Sequence, residues 1–159
     1  MKNLQNTNTS PIVMFTLDEP LYALYLSAVE RVIRSVEIRP LPKAPVIVSG
    51  VINLHGEIIP VIDIRKLFRL PLREVGLEDL FIIARTSKRL ISLIVDSVTG
   101  VSKLTDFKVA DSTEVLQFAD YLSGITVYEN NIILINDLEK FLSLDDEKAL
   151  DKVLKEGIK

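Results

Sequence analysis

Residues 46–68, which read VIVSGVINLHGEIIPVIDIRKLF, contain the pattern that decides the fold. Two runs rich in Ile and Val are typical of β-strands. His55 and Gly56 separate the runs, and glycine at this place suits the positive φ angle of a tight hairpin turn. Asp63 then precedes apolar residues at helical spacing, so we expect it to cap a short helix. The stretch therefore predicts a strand, a turn, a second strand and a capped helix.

The same pattern returns near the C-terminus. Residues 49–68 align without a gap on residues 123–142, with six identical positions of 20. A weaker match, with a slightly shorter offset, relates three apolar positions of each half: Leu24, Val29 and Val32 to Leu93, Val98 and Val101. This repeat favours two similar β subdomains about a pseudo-twofold axis, sharing an apolar interface because units of ~65 residues are marginal alone. Chance similarity between two amphipathic hairpins is the alternative.

Ten short strands are predicted, at 12–17, 20–26, 29–36, 50–54, 57–62, 80–86, 89–96, 98–104, 122–128 and 131–135. The turn signals between them are Asp18-Glu19-Pro20, His55-Gly56, Ser87-Lys88 and Asn130-Asn131. Short strands at this spacing favour a small barrel or sandwich over an α/β fold. Prolines make 39–45 an extended connector. Asp137 is a second expected helix cap, and 145–155 predicts a terminal amphipathic helix.

The composition excludes several classes of protein. The 159 residues include 19 Lys and Arg, 22 Asp and Glu, one His and no Cys. Without Cys there are no disulfides, iron–sulfur clusters, thiolate zinc sites or Cys nucleophiles, and one His allows no His-based metal cluster. A net charge of −3 argues against general nucleic-acid binding. No apolar run approaches the ~18–20 residues that span a bilayer. The polar segment 1–11 is interpreted as a flexible tail, not a signal peptide, so we expect a cytoplasmic protein.

The sequence offers little catalytic chemistry. It lacks the nucleophile-elbow, phosphate-loop and dinucleotide-binding glycine patterns. Asp63 and Asp137 are expected caps, and Asp96 is an expected strand-end or turn residue. His55, on a hairpin turn, is expected either to be solvated or to contact a partner. Few aromatic residues accompany the basic ones, which disfavours binding of single-stranded nucleic acid. These features favour a non-enzymatic scaffold without cofactor or metal that recognises proteins through sheet edges and a groove between the subdomains.

The stretch 46–68 resembles the signature of the CheW family of chemotaxis adaptors, roughly GVINLRGxVIPVIDLR. The likeness continues in FTLDEPLYALYLSAVERVI, RLISLIVDSVTGV and YLSGITVYENNIILINDLEKFL, and covers about residues 12–144. It implies a mainly β fold of two five-stranded SH3-like barrel subdomains in pseudo-twofold relation, with short helices after the hairpins and a C-terminal helix. The expected organisation is a tail at 1–11, a CheW-like domain at 12–144 with subdomains of about 12–78 and 79–144, and a helix at 145–159.

The resemblance also implies partners. Family members couple chemoreceptors, the methyl-accepting chemotaxis proteins, to the histidine kinase CheA at receptor arrays on the inner face of the membrane. A helical hairpin at the receptor tip docks near the groove between subdomains, and the kinase regulatory domain pairs with the adaptor end to end. Matching positions assign seven residues to the receptor groove: Val29, Arg31, His55, Ile58, Leu80, Val98 and Val101. Five residues are candidate kinase contacts: Gly50, Gly56, Val115, Leu116 and Phe118. Ring or array assembly is a further implication.

Two residues depart from the family pattern. The family usually has Arg at the position of His55 and Glu at the position of Arg31, and those two residues pair beside the groove. Here no carboxylate–guanidinium bridge can form between the two positions. This departure motivates an alternative, a CheW-like adaptor of a divergent chemosensory pathway, for pilus motility or development, with altered receptor specificity. A third reading, a small-ligand barrel or hydrolase, requires a closed cavity of mixed polarity. If Val98 is solvent-accessible, Val98→Asp should reduce receptor binding and leave the fold intact.

Overall fold

The computed structural model describes residues 10–103, 107–108 and 119–157. Its strands are β1 (Pro11–Thr16), β2 (Leu21–Tyr25), β3 (Val29–Arg34), β4 (Val48–Leu54), β5 (Glu57–Ile62), β6 (Leu80–Arg85), β7 (Leu90–Val95), β8 (Ser97–Lys103), β9 (Phe107–Lys108), β10 (Leu122–Tyr128) and β11 (Asn131–Asn136). The α-helices are α1 (Ile64–Phe68) and α2 (Leu144–Gly157), and short 3-10 helices lie at Leu26–Ala28, Ala119–Tyr121 and Leu138–Lys140. All ten predicted strands are confirmed, and β9 is an addition.

The strands form two sheets with the same layout. One has the order β8-β1-β2-β11-β10-β9 and the other has the order β3-β6-β7-β5-β4. In each sheet one parallel pair joins two antiparallel hairpins: β2 with β11 in the first and β7 with β5 in the second. The mainly β class and the pair of similar SH3-like barrel subdomains are therefore confirmed.

Each sheet draws strands from both halves of the chain. The N-terminal hairpin β1–β2 lies in the sheet of β8, β10 and β11, whereas β6–β7 lies in the sheet of β3, β4 and β5. The division between the sheets therefore does not coincide with the expected division of the chain near residue 78. The first hairpin of each half therefore pairs in the sheet of the other half, so both hairpins are exchanged.

The repeat extends to irregularities of the backbone. The pairing of β4 with β5 shifts register between Val48 and Gly50, and that of β10 with β11 shifts at the aligned place, between Leu122 and Gly124. Likewise, the pairing of β3 with β6 shifts register between Val29 and Arg31. The pairing of β8 with β1 shifts register directly after Val98, the position aligned with Val29. An amphipathic pattern alone does not require bulges at matching places. The repeat is therefore a structural duplication, not a chance similarity.

Gly50 is required by a close approach of the chain to itself. Arg39 and Val51 exchange two backbone hydrogen bonds of 2.8 Å, which bring the connector after β3 onto β4. A Cβ atom at Gly50 would lie 2.2 Å from the carbonyl oxygen of Arg39, and the φ angle is +155°. Any side chain at this buried position would collide with the backbone of the connector.

Both repeated hairpins turn through two residues with positive φ. His55 and Gly56 have φ angles of +54° and +89°, and Glu129 and Asn130 have angles of +49° and +66°. This is the backbone pattern of a type I′ turn, which matches the twist of the strands. The second turn thus lies one residue before the predicted Asn130-Asn131, because Asn131 already pairs as the first residue of β11.

The side chains divide among three apolar clusters. Alternate residues of the six-stranded sheet, such as Met14 and Ile133, fill one barrel, and Phe81 and Ile59 belong to the cluster inside the other. The opposite faces of both sheets meet in a larger central cluster that includes Phe15 with other buried residues of both barrels. The apolar interface expected between the subdomains is therefore this central cluster, and burial of such a shared core holds the barrels as one body.

The predicted C-terminal helix packs on the body. Leu150 and Val153 are buried in the central cluster, and Ser143 and Asp146 hydrogen-bond reciprocally at the first turn. Arg89 donates to Glu147 at 2.8 Å and also binds Asp151. Within the described residues, no helix has the length and apolar character needed to cross a membrane.

Candidate interaction surfaces

Four of the seven predicted groove residues lie at the rim of the central cluster. Val29, Ile58, Leu80 and Val98 are each partly buried and pack against it. They come from four strands of both sheets, β3, β5, β6 and β8. Tertiary structure therefore brings these side chains to one apolar core while leaving part of each in solvent. Such partly exposed apolar residues are suited to receive the apolar face of a partner.

The other three predicted groove residues are exposed and do not pack on this cluster. They are Arg31, His55 and Val101, and the side chain of Val101 is 60% exposed. Arg31 forms no ion pair within the part of the chain that the structure describes. Its neighbour Glu30 instead accepts a hydrogen bond from Arg85 on the adjacent strand at 2.8 Å.

The environment of Val98 changes the expected effect of a charge there. Val98 pairs with Phe15 across β8 and β1 and packs on the central cluster. An aspartate at this position would remove apolar packing and bring a carboxylate next to the core. Val101, on the same strand, is the cleaner position for probing this surface because it is exposed.

The five candidate kinase contacts fall into three groups. Gly50 is buried, so it shapes β4 and offers no surface of its own. Gly56 is exposed on the hairpin turn, where its N–H donates to Asn53 Oδ1 at 2.8 Å. The remaining three, Val115, Leu116 and Phe118, lie outside the described residues.

Sequence reasoning missed an open groove at the end of the six-stranded barrel. This barrel-end groove has a volume of about 620 Å³ and is lined by Glu19, Pro20, Leu21, Ile125, Asn131, Ile132 and Leu134. At its edge, Ile132 of β11 lies opposite Val127 of β10, and both side chains are more than 60% exposed. The unbroken apolar run from Ile132 to Ile135 could have indicated this groove, because it puts an apolar residue where a half-exposed strand would have a polar one.

Sequence reasoning also missed a partly buried ion network around the buried residues Arg65 and Asp79. The Arg65 guanidinium donates to both carboxylate oxygens of Asp18 at 2.9 and 3.1 Å and to both of Asp96 at 2.9 Å. Arg73 donates to both oxygens of Asp79 at 2.9 and 2.7 Å and also binds Asp96. The network joins four segments of the chain. Asp18 lies in the turn between β1 and β2, Arg65 lies in α1, Arg73 and Asp79 lie in the connector after α1, and Asp96 follows β7. No spacing in the sequence indicates it, because its members meet only in the folded chain.

The charges of this network are paired with one another. The Arg73 guanidinium beside Asp79 holds the pKa of that carboxyl below its usual range. Burial tends to raise the pKa of Asp96, but hydrogen bonds from the Asp18 N–H and from both guanidinium groups outweigh it and lower the pKa. Both carboxylates are therefore ionised at neutral pH and paired with arginine. Among the described residues, no group of three or more acidic or His side chains has the arrangement of a metal site.

Comparison of the sequence with known proteins adds three findings. Residues 11–146 match the family model of the CheW-like domain. The chain is 32% identical over 132 residues to the chemotaxis protein CheW of Thermotoga maritima, covering 82% of this chain and 86% of that protein. It is 29% identical over 156 residues to the chemotaxis protein CheW of Treponema pallidum, covering 93% and 89% of the two chains.

A solved structure shows the same fold. The crystal structure of the scaffolding protein TtCheW from Thermoanaerobacter tengcongensis superposes with a TM-score of 0.79 at 30% sequence identity. The match covers 87% of this chain and 95% of that one. The two-barrel architecture described above is therefore the architecture of a known scaffold.

Proposed function

Because this chain belongs to the CheW family of chemotaxis scaffold proteins, we propose that it couples chemoreceptors to the histidine kinase CheA. The observation that carries the proposal is the family match over residues 11–146, together with the two-barrel fold shared with a CheW scaffold. Its family membership makes the chain a CheW-type chemotaxis scaffold. We propose chemoreceptors and CheA as its partners, and recruitment to receptor arrays at the inner face of the membrane as its location.

The proposed receptor surface is the rim of the central cluster, with Val101 beside it. Support comes from Val29, Ile58, Leu80 and Val98, which combine core packing with partial exposure. A helical receptor hairpin presents an apolar stripe, and insertion of such a stripe against partly exposed aliphatic side chains removes apolar surface from water. Affinity at this surface therefore depends on apolar contact more than on charge.

The proposed kinase surface is the barrel-end groove. Support comes from the exposed apolar pair Val127 and Ile132, which would lose contact with water when a second barrel packs end to end against this one. Interfaces of this kind bury about 1,200–2,000 Å² in total. The end of a barrel and the rim between barrels are separate surfaces, so one chain can hold both partners at once.

The proposed mechanism is geometric. The central cluster and the Arg65 network join the two barrels, so the two surfaces keep a constant relative orientation. An adaptor of this kind transmits a signal by holding receptor and kinase in register, and it needs no turnover of a substrate. Repeated end-to-end pairing would extend the assembly into rings or arrays.

A binding experiment with purified components tests the proposal. We expect the chain to bind the isolated regulatory domain of CheA and, separately, a soluble receptor-tip fragment, and to form a ternary complex when both are present. Sedimentation and calorimetry measure the stoichiometry and the two dissociation constants. Failure to bind the kinase domain would overturn the kinase part of the proposal, and failure to bind the receptor tip would overturn the receptor part.

A second candidate keeps the fold and changes the receptor class. Arg31 is exposed and unpaired among the described residues, and His55 lies exposed at a hairpin tip with a φ angle of +54°. These two positions present no carboxylate to a receptor. We therefore also consider an adaptor of a divergent pathway, for pilus motility or development, with its own receptors. Binding to CheA without binding to conventional receptor tips would favour this second candidate.

A further inference from the structure

Two carboxylates face each other at the open end of the β6–β7 hairpin. The last residue pair of this hairpin is Leu80 and Val95. Asp79 and Asp96 are the next residues on the two strands, and both carboxylates are ionised at neutral pH. Like charges in opposed positions on neighbouring strands are destabilising. This end of the hairpin therefore requires a cation between its two strands.

Arg73 supplies that cation. Its guanidinium donates to both carboxylate oxygens of Asp79, at 2.9 and 2.7 Å, and its Nη2 also binds Asp96. Arg65 binds Asp96 as well but forms no ion pair with Asp79. Within the described ranges, Arg73 is thus the one cation that bridges the two carboxylates. The planar fork of a guanidinium, with five N–H donors, suits this double contact better than an ammonium group does.

The two carboxylates adjoin two residues of the proposed receptor surface. Asp79 directly precedes Leu80, the first residue of β6. Asp96 is the single residue between β7 and β8, and Val98 is the second residue of β8. The chain crosses between the sheets at Asp96, because β7 belongs to the five-stranded sheet and β8 to the six-stranded sheet. The Arg73 bridge therefore joins the strand ends that carry Leu80 and Val98.

Backbone hydrogen bonds tie each of these aspartates to a different sheet. The Asp96 N–H donates to the Thr16 carbonyl oxygen at 2.9 Å, and the next residue, Ser97, pairs with Thr16 across β8 and β1. The Asp79 carbonyl oxygen accepts from the Ser35 N–H at 3.1 Å, directly after β3. Asp96 is thus held to the six-stranded sheet and Asp79 to the five-stranded sheet. A force between the two carboxylates therefore acts on the spacing of the two sheets at this rim.

We propose that Arg73 is a positioning residue of the receptor surface: by bridging two like-charged strand ends, it holds Leu80 at the spacing from Val98 that a receptor hairpin requires. Arg73 acts through the two carboxylates and not by contact with the receptor. The inference rests on the proposed function, because Leu80 and Val98 are assigned to receptor binding only there. A surface that is held in its binding arrangement before contact loses less conformational freedom on binding, so loss of the bridge weakens binding.

The free protein tests the positioning step without a receptor. In ¹³C-methyl-labelled protein, we expect Arg73→Ala to shift or broaden the methyl resonances of Leu80 and Val98. The methyl resonances of Ile132, at the barrel-end groove, should stay unchanged. The double variant Arg73→Ala with Asp79→Asn removes the charge that repels the opposite carboxylate, so the affected resonances should return towards their original positions. Unchanged resonances in the single variant, or no return in the double variant, would overturn the proposal.

Calorimetry with a soluble receptor-tip fragment tests the consequence for binding. Arg73→Ala should weaken binding of the tip about fivefold or more, and the double variant should bind within about twofold of the unsubstituted chain. An amide at position 79 is neutral and can still accept from the Gly76 N–H, which donates to this side chain at 2.7 Å. Binding of the CheA regulatory domain should stay within about twofold in both variants. Arg69→Ala is the matched control and should change neither affinity, because Arg69 is exposed after α1 and forms no ion pair with any described residue.

The outcomes distinguish failure of this inference from failure of the proposed function. A tip affinity that Arg73→Ala leaves unchanged, or that Arg69→Ala lowers equally, would overturn the inference. A loss that persists in the double variant would show that Arg73 acts by direct contact or through the general fold, which overturns it as well. If the unsubstituted chain failed to bind the tip while the methyl resonances responded as expected, the proposed receptor coupling would be wrong and the positioning of Leu80 by Arg73 would stand.

Discussion

Arg65 Nη2 lies 2.9 Å from both carboxylate oxygens of Asp96, 31 residues further along the chain. The Arg65 side chain is 7% exposed and that of Asp96 is 22% exposed. The same guanidinium binds Asp18 in the turn of the exchanged N-terminal hairpin. One buried cation therefore connects segments of both sheets and fixes the exchanged hairpin against α1.

Loss of the Arg65 guanidinium should be costly. Arg65→Ala removes the hydrogen bonds that this guanidinium donates to Asp18 and Asp96; because Asp18 is about half exposed and Asp96 keeps Arg73, we expect a loss of about 1.5–3 kcal/mol, the range for hydrogen bonds to charged groups. Arg34→Ala is the matched control because Arg34 is exposed, and its change in unfolding free energy should stay within about 0.5 kcal/mol. Urea unfolding followed by circular dichroism measures both. Equal effects of the two substitutions would show that the network contributes nothing beyond surface charge.

The same network predicts a loss of stability in acid. The pKa values of Asp79 and Asp96 are lowered in the folded chain, so the unfolded chain binds more protons as the pH falls. Their contribution is fully present above the unfolded pKa of about 3.9 and disappears as the pH falls through the lower, folded values. Asp79→Asn should reduce stability at pH 7 and flatten the pH dependence between about pH 5 and 2. Urea midpoints measured across this range test the prediction. If the midpoint of Asp79→Asn fell with pH as steeply as that of the unsubstituted protein, Asp79 would not contribute to the loss of stability in acid.

Substitution of two exposed apolar residues should distinguish binding of the receptor tip from binding of the kinase domain. Val101→Asp should weaken binding of the receptor tip by about tenfold or more and leave binding of the CheA regulatory domain unchanged. Ile132→Asp, at the barrel-end groove, should do the reverse. Both side chains are at least 60% exposed, so both variants should keep their unfolding free energy within about 0.5 kcal/mol. If either substitution affected both partners alike, the two surfaces would not be separate.

Restoring the usual family pair should change receptor preference. The double variant Arg31→Glu with His55→Arg supplies the carboxylate and the guanidinium that the family carries at these positions. We expect tighter binding of a conventional receptor tip, by about fivefold for an exposed ion pair of about 1 kcal/mol. The single variants serve as controls in a double-mutant cycle measured by calorimetry. No gain in the double variant would show that the departure at these positions does not set receptor class.

The two signature glycines should differ in their tolerance of alanine. At Gly50 a Cβ atom would approach the Arg39 carbonyl oxygen to 2.2 Å, so Gly50→Ala requires a backbone shift and should lower the unfolding free energy by about 3 kcal/mol or more. At Gly56 no atom lies within 4 Å of such a Cβ, and only the φ angle of +89° resists substitution. Gly56→Ala should therefore cost about 1 kcal/mol. Thermal unfolding of the two variants compares them, and similar losses would mean that the close approach at Gly50 is relaxed.

The local elements were predictable because they depend on short-range patterns. Alternating aliphatic residues and turn residues marked the ten strands, and Asp63 and Asp137 cap the helical turns that follow β5 and β11, as expected. The duplication was visible because equivalent positions in the two barrels must satisfy the same backbone requirements. The seven groove residues were assigned by resemblance to the CheW family, and their contact with a receptor stays a prediction.

The location of each side chain in the assembled barrels was not predictable in the same way. Val98 and Val101 are both aliphatic and close together on one strand, yet one packs on the central cluster and the other is exposed. The bulge in β8 puts both side chains on the same face of the sheet, because Val98 pairs with Phe15 and Val101 pairs with Val13, two residues apart on β1. Sequence alone could not distinguish them, because their burial depends on which parts of the folded chain cover that face.

The sequence by itself determined the strand content, the tight turns, the helix caps and the doubled plan of the chain, since each depends on neighbours within a few residues or on direct comparison of the two halves. Only the tertiary structure decided that the first hairpin of each half pairs in the sheet of the other. In the folded chain that exchange is stabilised by the packing of the central cluster and by the ion pairs of Arg65 with Asp18 and Asp96. Contacts between residues so far apart leave no local pattern.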